Sequence, residues 1–101
     1  MVTFRFAKYG PILVSRPLGA QVREDLLSEI RKGEKVALDF EGVEMVGNSF
    51  ADECLGKLLI DIPLDELRQV TTFRNLSGTS RVSVSAALRR RYYSLYPSAA
   101  G

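Results

Sequence analysis

The sequence contains no histidine, and this absence excludes several classes of enzyme. Without an imidazole, the chain cannot carry histidine general acid/base catalysis, a Ser-His-Asp or Cys-His triad, or a metal site that needs a histidine ligand. The one cysteine, Cys54, has no partner for an internal disulfide and cannot form a cysteine-rich zinc site. We therefore expect no enzymatic activity, no cofactor and no metal.

Long apolar runs are also missing. The longest run has three residues, as at residues 58 to 60, whereas a membrane helix needs about 20 residues and a signal-peptide core about 7 to 15. A chain without disulfides is typical of a reducing compartment. We expect a cytoplasmic protein that does not bind a membrane.

The length and composition fit one domain, with charge unevenly distributed along it. The chain has 101 residues, of which 46% are hydrophobic and 26% charged, and this is typical of a single soluble domain. Residues 1–69 contain nine Lys/Arg and twelve Asp/Glu, whereas residues 70–101 contain five arginines and no acid. We expect the domain to span residues 1–96 and to be followed by a frayed tail at 97–101.

Apolar periodicity in the first half predicts two strands, a helix and a third strand. Residues 2–7 alternate with period two and residues 12–14 form a continuous apolar run, so the Gly-Pro break between them predicts a hairpin. Apolar residues from Val22 to Ile30 recur at helical spacing before Gly33. A strand at 35–40 follows, and the crossover rule favours pairing it parallel to the 12–14 strand.

The second half predicts a helix at 48–60, a short helical turn at 64–67, a strand at 70–73 and a helix from residue 79 onward. Residues 82–85 also alternate as a strand does, but the longer pattern favours the helix. The order is β-β-α-β-α-β-α. It predicts an α/β fold with a small mixed four-stranded sheet and helices mainly on one face.

Ser49 stands at the predicted start of the second helix, after a loop turned by Gly42 and Gly47. Together with Asp52 it forms the pattern of a capping box, in which the serine contributes about 1 kcal/mol relative to alanine. The alternative is a phosphoacceptor at the same place. A phosphate there would be favoured by the helix start but repelled by Asp52, Glu53 and Glu44.

Residues 38–43 and 48–53 resemble segments of a known protein family. Their Asp-Phe-x-Gly-Val and Ser-Phe-Ala-Asp-Glu pieces resemble the STAS-like domain family of unknown function, which is similar to the anti-sigma factor antagonists. In the antagonists a loop after a central strand leads to a helix that begins with paired serines and Gly-Leu-Gly, and a partner kinase phosphorylates one serine. The resemblance implies a bacterial STAS-like fold with Ser49 at the phosphoacceptor position.

The chain departs from the antagonist pattern at several positions. Gly47 stands where an aspartate is usual, Asn48 replaces the first serine, and residues 50–52 replace Gly-Leu-Gly. The resemblance implies a non-enzymatic signalling module that binds a protein partner, a kinase-like ATPase or a regulator, through the Gly42–Glu53 loop and helix start. The partner-binding residues we expect are Gly47, Asn48, Phe50, Asp52, Glu53 and Arg16.

Other candidate residues have simpler explanations. Arg16 either caps a carbonyl or holds the acidic loop, and Asp39 is expected to cap a turn at the end of its strand. Cys54 faces the apolar stripe of its helix and is expected in the core. The acidic residues of the loop and helix start could bind Mg²⁺ or form a catalytic pair, but solvated carboxylates are the commoner reason for such a group.

The arginine-rich segment supports an alternative function, nucleic-acid binding through the C-terminal helix. On a helix, Arg89, Arg90 and Arg91 spread over about 200°, which favours a solvated face and argues against nucleic acid as a partner. A further alternative is a structural subunit that dimerises through Tyr92, Tyr93 and Tyr96. The sequence leaves the oligomeric state open.

Overall fold

Three parallel strands form the main sheet of the computed structural model, which describes residues 1–100. These are β1 (Val2–Arg5), β3 (Val36–Asp39) and β5 (Thr71–Arg74), in the order β1-β3-β5. All four residues of the central strand β3 are buried. The expected strand at 35–40 is thus confirmed, but its parallel partners are β1 and β5 and not the strand at residues 12–14.

A second, two-stranded sheet replaces the predicted hairpin. It pairs β2 (Ile12–Leu13) with β4 (Met45–Val46) in parallel. The hairpin is wrong because the chain leaves β1 at Phe6, whose ring is fully buried and stacks on Phe40 at a centroid distance of 4.2 Å. A 3-10 turn at Phe6–Tyr9 redirects the chain there. The predicted mixed four-stranded sheet is therefore wrong: residues 1–100 form five strands in two sheets, and every strand pair is parallel.

Three of the helices lie where the sequence pattern predicts helices, but their first and last residues differ from the prediction. The first, α1 (Arg16–Ile30), begins well before its apolar periodicity because Ser15 caps it, its Oγ accepting a hydrogen bond from the Leu18 N–H at 3.2 Å. Downstream lie α4 (Leu64–Val70) and α5 (Gly78–Leu95), and α5 confirms the helical interpretation of residues 82–85. The expected frayed tail contains a 3-10 turn at Pro97–Ala100, and residue 101 lies outside the described range. No helix within residues 1–100 is both long and apolar enough to cross a membrane.

The helix predicted at 48–60 is interrupted by a π turn. It consists of α2 (Asn48–Ala51), the π turn (Asp52–Gly56) and α3 (Leu58–Asp61). The Lys57 N–H donates to the Asp52 carbonyl five residues earlier, at 2.9 Å. The π turn packs between α1 and α5. The predicted apolar stripe is buried in full, namely Phe50, Ala51, Cys54, Leu55, Leu58 and Leu59.

Candidate functional site

The chain reaches the site through a tight turn after β3. Asp39 caps this turn as expected, because its Oδ1 accepts hydrogen bonds from Asn75 Nδ2 at 2.8 Å and from the Glu41 N–H at 3.0 Å. These two bonds, with Asn75 the stronger influence, lower the pKa of the Asp39 carboxyl. Gly42 has a φ of 83°, and the Val43 N–H donates to the Phe40 carbonyl at 3.0 Å. A positive φ at this position of a turn requires a residue without a Cβ, which explains the glycine.

The helix start differs from the predicted capping box. Gly47 occupies the N-cap position with φ −80° and ψ 160°, and no side chain caps α2. Ser49 therefore lies at an exposed position inside the first turn, and its hydroxyl does not cap the helix. A Cβ at position 47 would lie 3.1 Å from Val14 Cγ1, so the glycine allows β2 and the helix start to approach closely.

Glu53 lies at the centre of a partly buried ion-pair cluster. Its carboxylate is 3.2 Å from Arg16, 3.0 Å from Arg23 and 3.0 Å from Lys57, and Arg23 also donates to the Glu53 carbonyl. Burial by itself would raise the pKa of Glu53, but the hydrogen bonds from Lys57, Arg23 and Arg16 outweigh it and lower the pKa to about 2. The carboxylate is thus held ionised by cations on α1 and on its own helix.

Asp52, the preceding residue, contacts a different set of cations. Its carboxylate is 2.9 Å from Arg16 and 2.9 Å from Arg91 of α5. Burial would raise the pKa of Asp52, but the hydrogen bonds from Arg16 and Arg91 lower it overall. Of the two roles considered for Arg16, the structure shows the second, since this arginine bridges both acidic side chains.

Two of the residues expected to bind a partner are not available at the surface. Phe50 is fully buried and packs in the core. The Glu53 side chain is only 10% exposed and its carboxylate is already paired. Neither side chain is free to contact a partner: Phe50 belongs to the buried apolar stripe, and Glu53 is turned toward Arg16 and Arg23 of α1. Gly47 is half-buried, whereas Asn48 and Arg16 are exposed.

A shallow depression brings four of the predicted residues, Arg16, Asn48, Ser49 and Asp52, together with side chains from α5, whereas Gly47 does not line it. It has a volume of about 320 Å³ and is open to solvent. We call it the Ser49 depression. Sequence reasoning did not connect its α5 side, Arg90, Arg91 and Ser94, with Ser49; the arginine run was visible, but nothing local indicates which distant segment it faces. The residues that line it are Arg16, Asn48, Ser49, Asp52, Arg90, Arg91 and Ser94.

Comparison with known protein families assigns the chain to one of them. The family described as a STAS-like domain of unknown function (DUF4325) matches residues 19–81, which is more than half of the chain. The chain belongs to this family. No curated protein and no solved structure matches it. The matched range contains Ser49, Asp52 and Glu53 but ends before Arg90 and begins after Arg16, so the arginines of the Ser49 depression lie outside it.

The three consecutive arginines of this STAS-like domain face two different surroundings. Arg89 lines a groove of about 610 Å³ between α4, β5 and α5, whereas Arg90 and Arg91 line the Ser49 depression, where Arg91 also pairs with Asp52. The spread expected from helical geometry is confirmed. The side chains do not form one basic face.

Other candidate groups in the STAS-like domain are part of its core or lie apart from one another. Cys54 is fully buried, and burial raises the pKa of its thiol to about 12, so it is a core residue as expected. Tyr92 packs against the core, whereas Tyr93 and Tyr96 are exposed. Within residues 1–100, no three acidic or cysteine side chains come together as a metal site would require.

Proposed function

We propose that this STAS-like domain is a non-enzymatic signalling module that binds a protein partner around Ser49, with phosphorylation of Ser49 as the switch. The observation that carries the proposal is the position of Ser49, which is exposed, does not cap α2 and lines the Ser49 depression. A kinase-like ATPase is the partner that the family resemblance implies, because in the antagonists the partner also phosphorylates the serine.

An apolar patch beside Ser49 supports a protein as the partner. Ile12 of β2 and Met45 of β4 are paired in register, and the two residues are 53% and 51% exposed. Val14 lies two residues beyond Ile12 and is 43% exposed, and the Gly47 N–H donates to the carbonyl of the intervening Leu13 at 2.8 Å. Protein interfaces combine an apolar centre with a polar rim. The patch supplies such a centre, with Asn48 and Ser49 beside it.

The docking surface is tested by binding to a candidate kinase-like ATPase, measured by calorimetry. We expect Met45→Lys and Asn48→Lys to weaken binding at least tenfold, because each places a charge in the interface. Gln21→Lys, at an exposed position of α1, is the matched control and should bind as the wild type does. Unchanged affinity for both Met45→Lys and Asn48→Lys would contradict the proposed surface.

The switch is tested separately, with ATP and the same candidate ATPase. We expect mass spectrometry to locate one phosphate on Ser49, and Ser49→Ala to abolish it while Ser28→Ala, at an exposed serine of α1, does not. Ser49→Asp should bind the partner differently from the wild type. Equal binding by wild type, Ser49→Ala and Ser49→Asp would contradict the switch.

A further inference from the structure

The Ser49 depression has the charge that a phosphoryl group on Ser49 would need. Three arginines and one aspartate line it, which gives a net side-chain charge of +2. A phosphate monoester carries a charge of about −1.5 to −2 at neutral pH. The depression therefore complements the modified serine nearly charge for charge.

The acidic residues that would repel a phosphate are already neutralised or lie elsewhere. Asp52 is paired with Arg16 and Arg91, and Glu53 is paired with Arg23 and Lys57 as well as Arg16. Glu44 does not line the depression. The repulsion that the acidic residues would exert on a phosphate at Ser49 is thus outweighed by the guanidinium groups around it, whose proximity could not be predicted from the sequence.

Donors remain for a phosphate on all three arginines. Arg16 contacts the acids through one terminal nitrogen, and Arg91 contacts Asp52 through one terminal nitrogen. The Nε of Arg91 is buried and has no acceptor among residues 1–100, so the donor that Arg91 keeps for a phosphate is its other terminal nitrogen. Arg90 is exposed and, within the same range, forms no ion pair. A guanidinium binds phosphate through paired N–H groups, so these spare donors suit phosphate oxygens.

We propose that Arg16, Arg90 and Arg91 bind the phosphoryl group of Ser49, so that the modified serine docks against α5. This inference rests on the proposed function, in which Ser49 is the phosphoacceptor. In that reaction the Ser49 Oγ forms a bond to the γ-phosphorus of ATP, the bond to the leaving ADP breaks, and the hydroxyl proton passes to a base of the kinase. The consequence is that modification at the helix start also changes the surface of α5.

The test uses the full chain with phosphoserine incorporated at position 49 during translation, and a second chain with phosphoserine at position 28 as reference. Titration followed by ³¹P NMR gives the second pKa of each phosphate. An opposite charge nearby lowers the pKa of an acid by about 1 unit or more, so we expect the phosphate at Ser49 to titrate at least about 1 unit below the phosphate at Ser28.

Two α5 variants identify the groups responsible. Arg90→Gln should raise the pKa of the phosphate at Ser49 toward that of the reference, whereas Arg81→Gln, an exposed arginine of α5 outside the depression, should leave it unchanged. Equal pKa values at Ser49 and Ser28, together with no effect of Arg90→Gln, would overturn the inference.

The NMR test needs neither kinase nor partner, so its failure is distinguishable from failure of the proposed function. If the partner responds to Ser49 variants but the phosphate titrates normally, the arginine site is wrong and the switch stands. If the phosphate is bound by the arginines but no kinase modifies Ser49, the site is correct and the switch is wrong.

Discussion

The two sides of the π turn differ although their acidic residues are adjacent in sequence. On the α1 side, Glu53 contacts Arg23 together with Arg16 and Lys57, and its side chain is 10% exposed. On the α5 side, Asp52 contacts Arg91, shares Arg16, and borders the open Ser49 depression. Two adjacent acidic residues, each paired with arginine, thus have different roles. Glu53 stabilises the packing against α1, and Asp52 forms part of the wall of the candidate site.

Helix geometry explains why neighbours take different roles. Successive residues of a helix point about 100° apart, and the π turn packs between α1 and α5, so Glu53 turns toward one helix and Asp52 toward the other. A π turn inside a longer helix is often found at functional sites. Here it lies directly after α2, which carries Ser49.

The largest loss of folding stability should come from removing the charge of Glu53, on the α1 side. Glu53→Gln leaves Arg23 and Lys57 without their carboxylate, and loss of one partner of a buried ion pair costs about 3 kcal/mol. Asp52→Asn, on the more open side, should cost about 1.5 kcal/mol. Urea unfolding of both variants measures the difference. Equal losses would show that the two sides are energetically equivalent.

Lowering the pH should remove the stabilisation that ionised Glu53 provides, without a mutation. The pKa of Glu53 is lowered to about 2 in the folded protein from about 4.3 in an unfolded chain. Because the folded value is depressed, the stabilisation is fully present above the unfolded value and is lost as the pH falls toward about 2. The free energy of unfolding should therefore decrease across this window, and Glu53→Gln should flatten the decrease. An unchanged slope in the variant would contradict the role of Glu53.

Two glycines allow a second comparison of the two sides, because Gly19 of α1 packs against the π turn and Gly56 of the π turn faces α5. A Cβ at Gly19 of α1 would lie 2.9 Å from Glu53 Cβ and 3.2 Å from the Phe50 carbonyl oxygen. A Cβ at Gly56 would lie 2.9 Å from Asp52 Oδ1, the end of a side chain that can shift by loosening its contacts with Arg16 and Arg91, and 3.3 Å from the Ala87 carbonyl oxygen. We expect Gly19→Ala to cost about 2 kcal/mol through overpacking and Gly56→Ala less than half of that, as measured by thermal unfolding. A larger loss for Gly56→Ala would reverse the comparison.

The sequence predicted the elements of this fold better than their pairing. Periodicity located α1, β3 and α5, because each buries apolar residues at regular spacing. The apolar run at 12–14 located β2, but its true partner β4 has two residues and is too short to show a period, so the pairing was wrong. The π turn could not be predicted from periodicity either, because the apolar stripe of a regular helix continues through it.

The candidate site was only half visible in the sequence. Local pattern and family resemblance located Ser49 and Asn48, which the structure places at the surface. Phe50 was expected at the partner surface although its place in the apolar stripe already predicted that it is buried, and the structure shows it buried. The α5 wall of the site lies about 40 residues along the chain, at Arg90 and Arg91. Such a contact depends on tertiary packing, and no local pattern encodes it.

The smallest expected loss of stability is that of a serine substitution, and it should differ between Ser15, which caps α1, and Ser49, which does not cap a helix. Ser15 caps α1 through its Oγ, so Ser15→Ala should cost about 1 kcal/mol. Ser49 caps nothing, and Ser49→Ala should change the free energy of unfolding by less than about 0.5 kcal/mol. Urea unfolding of the two variants under one buffer condition gives the comparison. A loss at Ser49 as large as that at Ser15 would mean that its hydroxyl has a structural role after all, and a serine needed for stability would be a poor choice for a reversible switch.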